Sequence, residues 1–187
     1  MAWGLLPILL ASKGFSIAQI GIVTAIYPAV WSVGQLITGK MADYFCKKDL
    51  LFPGMLLQGL ALIGLLFANS MTHFVVISCI LGWGTAMVYP TFLATVAENT
   101  HPSDRAKSFG VFRFWRDLGY AIGAILTGVV ADVFGINVSV LVIGLLTIFS
   151  SLVIFYRMKC SDKNYVKIID WISRKFFKTH SAIYKGI

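Results

Sequence analysis

Residues 17–38, IAQIGIVTAIYPAVWSVGQLIT, decide the fold because they contain no charged side chain. A helix needs about 20 mostly apolar residues to cross the hydrocarbon core of a bilayer. Uncharged runs of similar length lie at 50–69, 74–97 and 136–156, and a fifth run at 109–131 carries three charges. The pattern predicts an all-α polytopic membrane protein with five full transmembrane helices.

The composition excludes a soluble domain. Hydrophobic residues make up 58% of the chain, charged residues 13%, and the mean hydropathy is +0.81. Soluble domains are typically about 45–50% apolar and about 25% charged. Too few polar side chains are present to cover this much apolar surface in water.

The opening run, residues 2–11, spans about 15 Å as a helix, or about half a bilayer. A signal peptide is the competing interpretation. However, no basic segment precedes Trp3 and no small-residue cleavage site follows the run. We interpret the run as the outer half of a sixth, partial helix whose beginning is missing.

Basic residues cluster in every second connection. They are Lys40, Lys47, Lys48, Arg105, Lys107, Arg157 and Lys159. The intervening connections contain only Lys13. The positive-inside rule therefore predicts a multi-pass protein of the plasma or inner membrane with a cytoplasmic C-terminus.

The net charge of +8 comes largely from residues 158–187, which contain seven Lys or Arg and two Asp. Tyr165, Ile169, Ile172 and Phe176 share one face at helical spacing. We expect a cytoplasmic basic amphipathic tail on the anionic leaflet, with a partly disordered solubilising tail as the alternative. Nucleic acid is not an expected partner.

Motifs of catalysis or metal binding are missing from the sequence. Cys46, Cys79 and Cys160 are far apart and form no C-x-x-C pair, which predicts neither a disulfide framework nor a zinc site. The chain has no H-E-x-x-H, P-loop or G-x-S-x-G motif. We therefore expect no enzyme, no cofactor and no metal.

An internal repeat relates residues 34–46, GQLITGKMADYFC, to residues 123–135, GAILTGVVADVFG. Six of the thirteen positions are identical. The offset between the two copies spans three helices, and an odd number of crossings reverses direction. The repeat predicts a 3+3 inverted architecture, with the first unit at about 1–69 and the second at about 70–157.

Three segments resemble the major facilitator superfamily. Residues 39–48, GKMADYFCKK, are similar to its G-x-L-A-D-R-x-G-R-R/K loop. Residues 82–91, GWGTAMVYPT, resemble its tenth helix, and residues 105–123 resemble its eleventh. The resemblance covers residues 1 to about 157 and implies the C-terminal six-helix half, beginning inside helix seven.

The resemblance also implies roles and a partner. Gly39, Asp43, Lys47 and Lys48 would form a cytoplasmic gating loop, in which the aspartate caps a neighbouring helix and the lysines latch two halves together. The partner would be an N-terminal six-helix half, from the same gene, a split gene or a dimer. Lipid and a small-molecule substrate are the other expected partners.

Arg113, Arg116 and Asp117 are the only charges inside a predicted span. A charge at this depth costs at least about 2.5–3.5 kcal/mol, so such groups face a protein interior or a wet cavity. Arg113 and Asp117 are four apart and can pair, whereas Arg116 points elsewhere and could contact an anion. The alternative is a purely structural pair. Asp117 is the candidate for proton coupling.

Aromatic and amide side chains are the remaining candidates for substrate binding or coupling. They are Tyr27, Trp31, Gln35, Trp83, Tyr89 and Tyr120. The first three recur every four residues on one helical face, and the others could line the same cavity. Ordinary packing is the alternative for each.

These features together predict secondary active or facilitative transport of a small solute by alternating access, with or without proton coupling. The alternative is a non-transporting membrane adaptor or regulatory subunit built from half the fold. The sequence does not identify the substrate.

Overall fold

The computed structural model describes residues 2–160, with side chains from Gly4 onward. This part of the chain is helical and contains no strand. Its helices are α1 (Ala2–Ser12), α2 (Ile17–Tyr44), α3 (Lys47–Gly64), α4 (Met71–Glu98), α5 (Arg105–Phe134) and α6 (Ile136–Arg157). Short 3₁₀ turns lie at Leu65–Phe67 and Pro102–Asp104. The predicted amphipathic tail lies outside the described residues beyond Cys160.

Five helical segments are long and apolar enough to cross a membrane. They are Ile17–Tyr44, Lys47–Phe67, Met71–Glu98, Pro102–Phe134 and Ile136–Arg157. The shorter helix α1, which has 11 residues, is the sixth helix of the described part and corresponds to the predicted partial helix. The predicted all-α polytopic architecture is therefore confirmed over residues 2–160.

Local sequence signals set several helix ends. Ser16 and Gln19 form a capping box at the start of α2, in which the Ser16 amide donates to Gln19 Oε1 at 2.9 Å and the Gln19 amide donates to Ser16 Oγ at 3.3 Å. Gly135 alone joins α5 to α6, and its φ of +89° is accessible to glycine without strain.

Small residues allow the helices to approach closely. A Cβ added to Gly34 of α2 would lie 2.8 Å from Ala86 Cβ of α4. The same addition at Gly54 or Gly144 would meet side chains of α4 or α3 at 2.8 and 2.7 Å. Membrane helices gain no hydrophobic driving force against lipid, so close backbone packing of this kind holds them together.

The two copies of the repeat share one local structure. Thr38 and Thr127 occupy the matched positions, are both buried, and donate to the carbonyls of Gly34 and Gly123 at 3.2 and 2.8 Å. Their surroundings differ, because a Cβ on Gly123 would meet no described atom within 4 Å. The face of α2 around Gly34 is therefore packed against α4, whereas the matching face of α5 around Gly123 is open. The repeat boundaries stay a prediction.

A disulfide joins Cys46, directly before α3, to Cys160, after α6, with the Cα atoms 5.7 Å apart. The spacing of the cysteines did not predict a disulfide, and the structure pairs these two. They are 114 residues apart, and only the packing of α3 against α6 brings them together.

Candidate functional site

A cavity of about 680 Å³ lies between the helices. Every helix contributes to its wall, and the lining residues are Gly4, Leu5, Ile8, Tyr27, Trp31, Gln58, Leu62, Leu81, Thr85, Tyr120, Ala124, Thr127, Gly128, Ile143 and Thr147. The wall is mostly apolar with a few hydroxyl and amide groups and no charged side chain. This is the composition typical of a site for a small organic molecule.

Hydrogen bonds within the wall orient its hydroxyl groups. Tyr27 Oη donates to Thr85 Oγ1 at 3.3 Å, and Thr85 donates to the Leu81 carbonyl at 2.8 Å. Thr127 and Thr147 each donate to a carbonyl four residues earlier at 2.8 Å. These threonine protons are therefore used inside the helices, and the hydroxyl oxygens keep lone pairs to accept from a guest.

One donor of the wall has no protein acceptor. The indole Nε1 of Trp31 is buried and makes no hydrogen bond to any described residue. A buried N–H without a partner costs about 1–3 kcal/mol.

Aromatic rings connect the cavity to the charged cluster on α5. The Trp31 ring lies 6.2 Å from that of Tyr27 and 5.8 Å, edge to face, from that of Tyr89. Arg116 Nη1 donates to Tyr89 Oη at 2.9 Å, and its guanidinium lies 5.5 Å from the centre of the Tyr89 ring. Arg116 also lies one helical turn before Tyr120, which lines the cavity.

The charged groups pair differently from the prediction. Asp117 Oδ1 accepts from Arg116 Nε at 2.9 Å, not from Arg113. Tyr89 on α4 holds the guanidinium of Arg116 beside Asp117, while Arg113 is exposed and makes no ion pair with residues 2–160. The spacing rule on one helix could not anticipate this contact from another helix.

The structure brings six of the predicted site residues together and leaves three apart from them. Tyr27, Trp31 and Tyr120 line the cavity, and Tyr89, Arg116 and Asp117 extend it as a connected cluster. The structure does not bring Gln35, Trp83 or Arg113 into this arrangement: Trp83 packs beside Gly34 and is 39% exposed.

Four polar lining residues escaped the sequence-based prediction: Gln58, Thr85, Thr127 and Thr147. Gln58 is a long amide inside an uncharged run, as Gln35 is, so its residue type could have indicated it. Thr127 is one of the six repeat identities, so the repeat could have indicated it. No sequence signal distinguishes Thr85 or Thr147 from other threonines in the spans.

The predicted gating segment is almost entirely helical, because α2 continues to Tyr44 and only Phe45 and Cys46 separate it from α3. Lys47 is 5% exposed, and its Nζ donates to the Ala42 carbonyl and pairs with Glu98 Oε1 at 3.0 Å. Lys48 Nζ lies 4.1 Å from the centre of the Phe155 ring. In this chain the lysines therefore attach α3 to α4 and α6.

The other two members of the gating segment lack such contacts. Asp43 is exposed, and a Cβ on Gly39 would meet no described atom within 4 Å. Their predicted roles against a second half therefore stay predictions.

The described helices thus form a bundle around a cavity whose wall is mostly apolar. The sequence model of the Major Facilitator Superfamily matches residues 1–182, and the chain belongs to this family of multi-pass membrane proteins.

Several curated transport proteins are similar to the chain. The inner membrane transport protein YnfM of Escherichia coli is 24% identical over 86% of this chain and 38% of its own length. A probable hexose phosphate transport protein of Chlamydia muridarum is 23% identical over 82% of this chain and 34% of its own. A probable sulfoacetate transporter of Cupriavidus necator is 24% identical over 87% and 38%. The chain thus spans little more than a third of these relatives.

Proposed function

We propose that the chain is the C-terminal half of a transporter that moves a small organic anion across the plasma or inner membrane by alternating access. The observation that carries this proposal is Arg116, held by Tyr89 and Asp117 beside a cavity of about 680 Å³. Family membership supports transport of a small solute in general.

The guanidinium supports the choice of an anion. Its Nε and Nη1 groups are occupied by Asp117 and Tyr89, whereas its Nη2 group makes no hydrogen bond with residues 2–160. Arginine suits phosphate, sulfonate and carboxylate groups because its planar fork matches their oxygens. Two relatives are named as a probable hexose phosphate transport protein and a probable sulfoacetate transporter, and both names refer to anions of this kind.

The groups in the cavity wall support a substrate in which the anionic group is attached to a polar body. The oriented threonine oxygens of the wall are acceptors for such a body. Tyr27 and Tyr120 offer aromatic faces on which the carbon skeleton of a sugar or a short chain can pack. We further propose that the Asp117 carboxylate couples transport to protons.

The test is uptake into proteoliposomes by this chain joined to its N-terminal half. We expect uptake of radiolabelled hexose phosphate or sulfoacetate, and none of the uncharged hexose. A gradient with the outside acidic should accelerate uptake if transport is coupled to protons. Equal uptake of hexose and hexose phosphate, or no uptake of any anion by the assembled protein, would contradict the proposal.

A further inference from the structure

Three donor groups meet at the end of the bundle where α2 gives way to α3. The sulfurs of Cys46 and Cys160 and a carboxylate oxygen of Asp49 all lie within 4.8 Å of one another. Cys46 is the N-cap residue of α3 and Asp49 lies in its first turn, a spacing that places both side chains over the helix N-terminus. Cys160 joins them because α6 packs along α3.

The surrounding charges leave these donors free for a cation. The Cys46 side chain makes no capping hydrogen bond, and the N-terminus of α3 favours negative charge on its sulfur. Both neighbouring lysines point to other partners, Lys47 to Glu98 and Lys48 to the Phe155 ring. Asp49 is exposed and makes no ion pair with residues 2–160.

The disulfide has to open before the sulfurs can act as ligands. The predicted orientation places this end of the bundle in the cytoplasm, where the glutathione and thioredoxin systems keep thiols reduced. Two molecules of a thiol reductant such as glutathione reduce the bond to the Cys46 and Cys160 thiols and become glutathione disulfide.

We propose that the reduced Cys46, Cys160 and Asp49 bind a soft divalent cation of the zinc class. Two thiolates and one carboxylate provide three corners of a tetrahedron, and water takes the fourth. The thiolates exclude Mg²⁺ and Ca²⁺, which require oxygen ligands. Binding releases the two thiol protons to solvent, and the bound ion ties the start of α3 to the segment after α6. This site is independent of any transport activity.

The test uses the full chain in detergent, reduced with a phosphine and then titrated with Co²⁺ as a coloured substitute for Zn²⁺. We expect near-ultraviolet thiolate-to-cobalt charge-transfer absorption at one ion per chain, which Zn²⁺ then removes. Cys46→Ser and Cys160→Ser should each abolish the absorption. Cys79→Ser is the matched control and should retain it, because Cys79 is the free cysteine within α4.

Asp49→Asn leaves both thiols in place and separates a built site from adventitious thiol binding. We expect it to weaken Co²⁺ affinity at least about tenfold, which is the lower end of what loss of a supporting group costs at metal sites. No charge-transfer absorption in the reduced chain would overturn the proposal. So would absorption that survives Cys46→Ser with Cys160→Ser, unchanged affinity in Asp49→Asn, or a Cys46–Cys160 bond that the phosphine fails to open in alkylation mass spectrometry.

Discussion

At the scale of single residues, Arg116 differs from Arg113 although both lie on α5 inside the same span. Arg116 donates one hydrogen bond to Asp117 of its own helix and one to Tyr89 of α4, whereas Arg113 is exposed. A cation held by two partners beside a cavity is pre-organised to receive an anion, and less freedom is lost when the anion binds.

We predict that Arg116→Ala weakens binding of the transported anion at least about tenfold, because a hydrogen bond to a charged group contributes about 1.5–3 kcal/mol. Arg113→Ala is the matched control and should change affinity by less than about 0.5 kcal/mol. Calorimetric titration of the assembled protein with the anion measures both. An affinity of Arg116→Ala equal to that of the wild type would show that the Arg116 guanidinium does not bind the anion.

Asp117 offers the second prediction at this scale. If its carboxylate carries the coupled proton, Asp117→Asn should abolish the acceleration of uptake by a pH gradient while exchange of labelled for unlabelled substrate continues. Asp132→Asn, at an exposed position near the C-terminal end of the same helix, should behave as wild type. Gradient-driven uptake that persists in Asp117→Asn would assign coupling to another group or to none.

At the scale of helices, close packing between α2 and α4 depends on Gly34. A methyl group there would lie 2.8 Å from Ala86 Cβ and 3.3 Å from the Trp83 ring, so the two helices would have to separate. We predict that Gly34→Ala lowers the free energy of unfolding by about 1–3 kcal/mol, the usual cost of overpacking.

Gly39→Ala on the same helix is the control for this prediction. A Cβ at Gly39 meets no described atom within 4 Å, and alanine is about 1 kcal/mol more favourable than glycine inside a helix. Thermal unfolding of the chain in detergent, followed by circular dichroism, should show a lower midpoint for Gly34→Ala and an unchanged or higher one for Gly39→Ala. Equal midpoints for the two variants would exclude tight packing at Gly34.

The helices could be predicted from the sequence where they depend on residues that are close to one another in the chain. An uncharged run long enough to cross a bilayer defines a span, and the Ser16–Gln19 capping box involves residues three apart. The contacts that build the site join different helices. Tyr89 to Arg116 and Cys46 to Cys160 depend on how helices pack, and no spacing in the sequence encodes that packing.

At the scale of the whole molecule, the repeat relates a packed face to an open one. Gly34 of α2 lies against Ala86 of α4, whereas a Cβ added to the matched Gly123 of α5 would meet no described atom within 4 Å. The same holds for Gly119, one helical turn earlier on α5. Because the two copies share sequence and local hydrogen bonding, we infer that the face of α5 around Gly123 receives a helix in the proposed whole transporter, as α2 receives α4.

This inference predicts opposite effects of one substitution in two contexts. Gly123→Ala should leave the thermal midpoint of this chain unchanged or slightly raised, because a methyl group there meets empty space and alanine favours the helix. In the protein joined to its N-terminal half, the same methyl group would enter a helix contact and lower the midpoint, as expected for Gly34→Ala in either context. Gly110→Ala, in the first third of α5, also adds a methyl group that meets no described atom within 4 Å, and it should leave the midpoint unchanged or slightly raised in both contexts. If Gly123→Ala also leaves the midpoint of the joined protein unchanged, Gly123 does not lie in a helix contact there, although the glycine is shared by both copies of the repeat.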